Sequence, residues 1–490
     1  MARFLHDPAG TRLPIKLDAT TNGEFAPIPL ADIHRRARAL AMERATGNAR
    51  RTGLTRRSFL VSACGAATTL LAFNDAFGSA SRPAGGYYDL PREAALDAQV
   101  ARSSLDKSEF VFDVQGHFVN PAGAWTRSLP PSAQPLRFAT NRANCSTRDA
   151  AGLASLGCIG RDAFLKDVFL DSDTDVIVLS FVPSTREGEP LTIEEAAATA
   201  AIVEGMQGTH RMLLHGRVNP NQPGDLESMD MLAQEYRVAA FKTYTQWGPD
   251  GKGFFLDDDV GIAFVEKARR LGVRNIAVHK GLPFGPQSYE HSTCVDVGRI
   301  ARRFPDVNFL VYHSGFVAGK PEGPYDPKRT DGIDALVTSL LANDVKPGSN
   351  VYAELGSTWR FLMRDPESSA HAVGKLVKYC GEKNVLWGTD SIWYGSPQDQ
   401  IQAFRTFQIG EALVEKHGYA RMTRELRAGI FGRNALAVYA LPDAVLKHHL
   451  PRDRVTLERE NYRNAPDPTF LTRGPRTRRE FLNLTAWARE

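Results

Sequence analysis

Three histidines and an aspartate stand where apolar runs end: His117 after residues 110–114, His279 after 275–278, His313 after 308–312 and Asp390 after 384–388. Each lies within two residues of a glycine, as in Gly116-His117, His279-Lys280-Gly281, His313-Ser314-Gly315 and Gly388-Thr389-Asp390. One such histidine would read as a hydrogen-bonded structural side chain. Four donors at matching positions instead read as one shared site, because imidazole nitrogens and carboxylate oxygens are the ligands that divalent cations take. Gln115 precedes His117 by two, and residues two apart on a strand face the same way, so both can hold one ion from below. His279 would approach from the opposite wall. Asp390 can serve as ligand and also receive the proton of a metal-bound water, and His313 suits general acid/base work on substrate or water. The expected cofactor is one divalent ion, Zn²⁺ ahead of Mn²⁺.

Further strand ends carry Arg217, Lys242, Tyr244 and Glu354. Arg217, Lys242 and Tyr244 are candidates for holding a substrate, with Lys242 suited to a substrate carboxylate. Residues 247–255, beginning with Trp247, have the glycine content of a mobile lid, and with Trp359, Trp393 and Tyr394 they suggest a pocket for a flat or cyclic molecule. Asp171-Ser172-Asp173-Thr174-Asp175 lacks the glycine and glutamate of a calcium loop and reads as a turn before a strand. No Gly-x-Ser-x-Gly nucleophile turn is present in the sequence.

The elements that must position these side chains follow from the spacing of apolar residues. Eight runs of strand length (110–114, 175–182, 212–218, 238–244, 275–278, 308–312, 350–355 and 384–388) alternate with segments of helical periodicity such as 192–205, 226–236, 259–271, 295–304, 332–341 and 370–380. Continuously apolar strands separated by amphipathic helices imply a parallel sheet covered by helices, and eight units imply closure into an α/β TIM (β/α)₈ barrel. Chemistry in that fold sits at the carboxyl ends of the strands. An open doubly wound sheet is the alternative, and no glycine-rich dinucleotide loop follows any strand. The long connection over 118–166, rich in Pro, Arg and Asn, is expected to cap the barrel mouth.

With these residues placed, the chain resembles a known family. Phe112-Asp113-Val114-Gln115-Gly116-His117, His279, His313, Gly388-Thr389-Asp390 and Ile430-Phe431-Gly432-Arg433-Asn434-Ala435 are similar to the amidohydrolase-related group that includes aminocarboxymuconate semialdehyde decarboxylase and other aromatic-acid decarboxylases and hydrolases. The resemblance spans about residues 105–442 and implies His117, His279 and Asp390 as metal ligands and His313 as the catalytic acid/base. Gln115 departs from it, standing where the family has His or Glu. A neutral amide oxygen binds Zn²⁺ less tightly than either. Three readings stay open. The first is a metal-dependent hydrolase acting on a C–O or C–N bond of a small cyclic or aromatic carboxylate-type substrate. The second is a carboxy-lyase using the same ion. The third has no metal, either as a lactonase in which Arg217, Lys242 and His313 polarise a carbonyl unaided or as a non-catalytic binding barrel.

Composition bounds the partners. The 490 residues are 42% hydrophobic and 24% charged with net charge +4, and residues 1–80 hold 11 Lys/Arg against 6 Asp/Glu, leaving the body near neutral. Nucleic-acid binding, which needs phosphate neutralisation, is not expected; a small-molecule substrate is, and homo-oligomerisation stays open. Cys145 and Cys158 read as two thiols instead of a bridge. Thr55-Arg56-Arg57-Ser58-Phe59-Leu60, the uncharged run over 61–73 and small residues near Gly78-Ser79-Ala80 form a signal of the twin-arginine type over 55–80, behind an extension over 1–54. The run is too short to span a bilayer, so periplasmic or secreted location is the expectation. The charged tail over 443–490 reads as an arm or partner-contacting extension.

Overall fold

The computed structural model describes residues 7–18, 20–21, 25–78, 85–125, 158–206, 210–248, 251–283, 288–442, 444–474 and 476–479. Eight parallel strands form one sheet in sequential order: β1 (Phe112–Gly116), β2 (Val176–Leu179), β3 (Met212–Arg217), β4 (Ala240–Tyr244), β5 (Asn275–His279), β6 (Asn308–Tyr312), β7 (Val351–Glu354) and β8 (Val385–Leu386). The last strand returns to the first: Val114 N–H donates to Trp387 O (3.0 Å) and Asp390 N–H to Gln115 O (3.0 Å). A parallel bridge pairs Gly116 with Ser391. This is the (β/α)₈ barrel, and all eight apolar runs are its strands. They read as continuous runs because a strand inside a barrel is buried on both faces.

Period-two alternation sorts the strand residues into layers. Phe112, Val114, Val176, Val178, Ala240, Ala277, Leu310 and Leu386 fill the lower barrel. The register between β1 and β2 shifts between Asp113 and Gly116, a local irregularity of the kind that re-aims side chains beside active sites. Helices over Ile193–Gly205, Asp225–Gln234, Asp259–Arg270, Val297–Arg303, Gly332–Ala342 and Pro366–Cys380 cover the outside. Thr192 and Glu195 form a reciprocal cap on the first of these, and Asp365 caps the last, with Pro366 in its first turn.

The segment read as an export signal is folded into this body. Helices α1 (Asp32–Arg51), α2 (Arg56–Val61) and α3 (Ala63–Gly78) precede the barrel. Ala37, Ala41, Ala45 and Ala49 form a small-residue stripe on α1 and are all buried, as are Ala66, Ala67, Leu70 and Phe73 of α3. Thr55 caps α2 by accepting the Ser58 N–H, so the Thr-Arg-Arg-Ser sequence is a helix start. Arg57 is 1% exposed, lies 3.7 Å from Asp467 and 4.0 Å from Asp7, and covers the Phe470 ring. The small residues at 79 and 80 lie outside the described residues.

The charged tail binds its own chain. A helix over Arg454–Arg463 lies at the amino-terminal end of the barrel, where the fully buried Arg211 donates to Asp453 Oδ1 (2.9 Å). Arg463 reaches Asp173 (2.7 Å), which also takes Arg405 (3.0 Å). The tail thus differs from a solvated arm because its arginines meet carboxylates contributed by the turn before β2. From there the chain climbs to the carboxyl end of the barrel, where Arg473 N–H and Gly474 N–H donate to Trp393 O (2.6 and 2.7 Å). Cys158 is disulfide-bonded, against the expectation of a thiol; Cys145 lies outside the described residues, as do 126–157 of the expected cap and Pro249 and Asp250 of the expected lid. No described helix is long and apolar enough to cross a membrane.

Candidate active site

Four of the expected residues meet at the carboxyl end of the barrel. Gln115 Nε2 lies 3.1 Å from Asp390 Oδ1, 3.3 Å from His117 Nε2 and 3.5 Å from His313 Nε2. His117 Nε2 and Asp390 Oδ1 are 3.1 Å apart. All four side chains are buried. His117 Nδ1 is 3.0 Å from Ser180 O and His313 Nδ1 is 2.7 Å from Gly356 O. A carbonyl only accepts, so each Nδ1 carries a hydrogen and each ring turns its Nε2 toward the cluster.

Backbone strain marks the same place. His313 (φ 65°), Ser357 (φ 53°) and Asp390 (φ 58°) are non-glycine residues in the left-handed region. That conformation costs roughly 1–2 kcal/mol per residue and collects at functional sites. Asp390 Oδ2 accepts from the Ser357 hydroxyl, which lies 2.7 Å from the Tyr394 hydroxyl. The single Ser357 hydrogen goes to the carboxylate, so Tyr394 donates to Ser357. Burial alone would raise the Asp390 carboxyl, but the His117 hydrogen bond and charge, together with His313 and Ser357, outweigh it and hold the group down at about 2. Burial lowers His313 to about 4, leaving a neutral imidazole at ordinary pH.

His279 stands opposite β1, its ring 4.5 Å from that of His313 and 4.9 Å from that of Tyr244. Burial lowers its pKa well below the usual histidine value. Beneath lies a polar layer two residues back along the strands, where Lys242 Nζ sits 3.8 Å from the centre of the Tyr312 ring and His215 bonds to Ser180 Oγ (3.0 Å) and Tyr439 OH (3.1 Å). Glu354 accepts the N–H groups of His313 (3.0 Å) and Gly356 (2.5 Å), and burial pushes its carboxyl up to about 8. Arg217 is engaged by Asp225 (2.8 Å) and Glu189 (2.5 Å). Tyr244 OH donates to Phe181 O (2.6 Å), and Trp247 is buried. Trp393 stacks near His117 with ring centres 6.4 Å apart.

The sequence reading gave no role to Glu354 or to Ser357. Glu354 was visible as a strand end. Ser357 carried no signal, because only its loop geometry turns its hydroxyl onto Asp390.

The chemistry of the donor set tests a metal. His117 Nε2 and Asp390 Oδ1, 3.1 Å apart, share a proton, and a cation would take that proton's place between them. Among the described residues no three His, Cys, Asp or Glu side chains are grouped so as to hold an ion as they stand. The amide of Gln115 lies between the acceptors and presents its nitrogen to them; turned end for end, it would present its oxygen and complete a nitrogen, carboxylate and amide-oxygen set. The residues fit a divalent cation on that turn.

A barrel carrying polar strand ends around a histidine–carboxylate pair defines a class before any comparison is made. The profile of the amidohydrolase family matches residues 166–441, more than half of the chain, and the chain belongs to that family. It is therefore an enzyme of the amidohydrolase superfamily. No curated protein matches it. Among solved structures it is similar to 5-carboxyvanillate decarboxylase LigW from Sphingomonas paucimobilis, at 14% identity and TM-score 0.43 over 68% of this chain and 100% of that one. It is also similar to 2,6-dihydroxybenzoate decarboxylase from Rhizobium, at 14% identity and TM-score 0.39 over 68% of this chain and 99% of that one. An amidohydrolase from Burkholderia multivorans with bound zinc gives 16% identity and TM-score 0.37 over 68% and 100% of the two chains.

Proposed function

We propose that the protein is a metal-dependent hydrolase acting with water on a C–O or C–N bond of a small cyclic or aromatic carboxylate-type substrate. The observation that carries this reading is the convergence of two tautomer-fixed imidazole nitrogens and a carboxylate on the Gln115 amide. Held by His117, Asp390 and Gln115, with His279 on the facing wall, a divalent ion such as Zn²⁺ would acidify water and polarise the substrate carbonyl. The remaining work falls to the chain. His313, neutral and anchored through Nδ1, offers Nε2 as the base that takes a proton from water. Asp390, a carboxylate kept from rotating by Ser357, holds its position beside that base. Trp393, against His117, gives a flat substrate a face to lie on.

Elemental analysis of the wild-type protein beside His279→Ala tests the metal: about one equivalent in the first and a loss in the second is the expected result. No ion at any stoichiometry, with no activity restored by Zn²⁺ or Mn²⁺, would overturn the reading. A panel of lactones, amides and hydroxybenzoates scored for acid release against carbon dioxide release then tests the reaction; carbon dioxide alone would move the protein to the carboxy-lyases.

A further inference from the structure

We propose that Glu354 is a positioning residue that sets which end of the Gln115 amide faces His117 and Asp390, and so governs how tightly the site holds a divalent cation. This rests on the metal-dependent reading above. Gln115 is wholly buried, and its Oε1 accepts no hydrogen bond among the described residues, while its Nε2 donates to Asp390 Oδ1 and faces the Nε2 atoms of His117 and His313. A buried acceptor left without a donor costs about 1–3 kcal/mol. As it stands the amide is the wrong way round for a cation, since an N–H₂ group cannot ligate one.

Glu354 supplies the alternative. A methyl group placed on Gly356 would lie 2.2 Å from Gln115 Oε1 and 2.5 Å from Glu354 Oε1, so the two oxygens share the space that glycine leaves there. At Gly388 the same methyl would lie 1.6 Å from Glu354 Oε1. Two glycines therefore make room for a carboxyl directly beside the amide. A half-turn about the last bond of Gln115 exchanges two groups of nearly equal size. The Nε2 hydrogens then turn toward Glu354, the oxygen faces the histidine–carboxylate pair, and a cation held there satisfies the acceptor that is otherwise orphaned. Glu354 cannot withdraw, because the N–H groups of His313 and Gly356 hold its two oxygens. Groups that orient a ligand in this way typically change metal affinity by about 10–100-fold when removed.

The test is Zn²⁺ affinity by competition with a chromophoric chelator, which needs no substrate. Glu354→Met and Gln115→Leu are each expected to weaken binding by about 10–100-fold, and the double variant to bind no more weakly than Gln115→Leu alone, because Glu354 acts only through the amide. Wild-type affinity in Glu354→Met, or a second full loss in the double variant, overturns this inference and leaves the metal reading intact. A wild-type protein that takes up no Zn²⁺ overturns both. Should Glu354→Met fail to fold, a crystal structure of the wild type soaked in Zn²⁺ gives the answer: one amide atom of Gln115 on the ion and the other on Glu354 supports it, and an amide turned away from the ion overturns it.

Discussion

Ser357 donates its hydroxyl hydrogen to Asp390 from a backbone held at φ 53°, and Asp390 receives it from a backbone held at φ 58°. Two left-handed residues thus face each other through one charged hydrogen bond, with Tyr394 OH closing the chain 2.7 Å behind. Such a bond contributes about 1.5–3 kcal/mol, while the left-handed backbone costs roughly 1–2 kcal/mol at a residue with a Cβ. Ser357→Ala loses the bond and keeps the strain; Ser357→Gly loses the bond and releases it. The glycine variant is expected to be the more stable of the two by about 1 kcal/mol, measured by urea unfolding, and both should lose turnover. An alanine variant as stable as the glycine variant would show that the backbone at 357 stores no strain.

Glu354 and Asp113 give stability an unusual pH dependence, because burial raises them to about 8 and about 7. A carboxyl whose folded pKa lies above its unfolded value binds its proton more tightly when folded. Its stabilisation is full below the unfolded pKa near 4.5 and is lost as pH rises through the folded value. Between pH 5 and 8, with a chelator present, the wild type should therefore lose stability relative to Glu354→Gln by up to about 1.4 kcal/mol per pH unit. Parallel thermal melts across that range check the sign; a difference that stays flat from pH 5 to 8 would place an ionised Glu354 in the folded protein.

His313 should leave a different signature. Its folded pKa, lowered by burial to about 4, keeps Nε2 bare at every pH above that value. As the base for water it should therefore impose no acid limb on kcat/KM between pH 5 and 7. The rate should fall only as pH approaches 4, and His313→Asn should lose turnover while still binding Zn²⁺. A limb near 6.5 that vanishes in His313→Asn would mean that the substrate-ready site is far wetter than this one.

How much of this could be read from the residues depends on how local each cause is. The eight strands were legible because each is a run of consecutive apolar residues, and the ends of those runs gave Gln115, His117, His279, His313 and Asp390. Arg217 read as a substrate contact, yet Glu189 and Asp225 engage it; they stand on other segments and announce nothing in sequence. Lys242 read as a strand-end partner for a substrate carboxylate and lies over the rings of Tyr312 and Tyr244, both at inward strand positions. The register shift in β1, the turn at Ser357 and the placing of Gln115 and Glu354 against the same glycine, Gly356, arise only on closure of the ring. The stripe Ala37, Ala41, Ala45, Ala49 was a legible signal, since a repeat of four small residues marks a helix that packs closely.

Lys375 joins the barrel's outer helices to the loop after β6. Its ammonium, wholly buried, lies 2.6 Å from Glu322 Oε2 and 2.6 Å from Asp334 Oδ1. Removing Lys375 leaves two buried carboxyls with Arg329, 3.5 Å from Asp334, as the remaining cation beside them; breaking a buried ionic group in this way typically costs about 3–5 kcal/mol, a large share of a domain's stability. Lys375→Met should therefore unfold at markedly lower urea concentration or fail to accumulate. The triple change that also makes Glu322→Gln and Asp334→Asn should recover much of the loss. A single variant within 1 kcal/mol of wild type would show the two carboxyls to be neutral in the fold.

Arg56 and Arg57 are neighbours with opposite fates, and that contrast separates two accounts of the segment that looks like an export signal. Arg57 is buried between Asp7, Asp467 and Phe470, whereas the Arg56 guanidinium bonds only to Ala9 O among the contacts described, at an exposed position. If α1–α3 stay with the barrel, Arg57→Ala takes the guanidinium away from the buried Asp7 and the half-buried Asp467 and should cost about 3 kcal/mol, while Arg56→Ala should cost less than about 1 kcal/mol. If the chain is cut near residue 80, both positions leave with the removed piece and neither substitution can touch the stability of what remains. The packing of α1 on α3 predicts the first result, together with an intact mass that still includes residues 56–78 in protein recovered from its own cell. Export of the folded chain with the segment in place is compatible with that outcome. Equal stabilities for the two variants and a mass that begins near 80 would identify the segment as a removable signal.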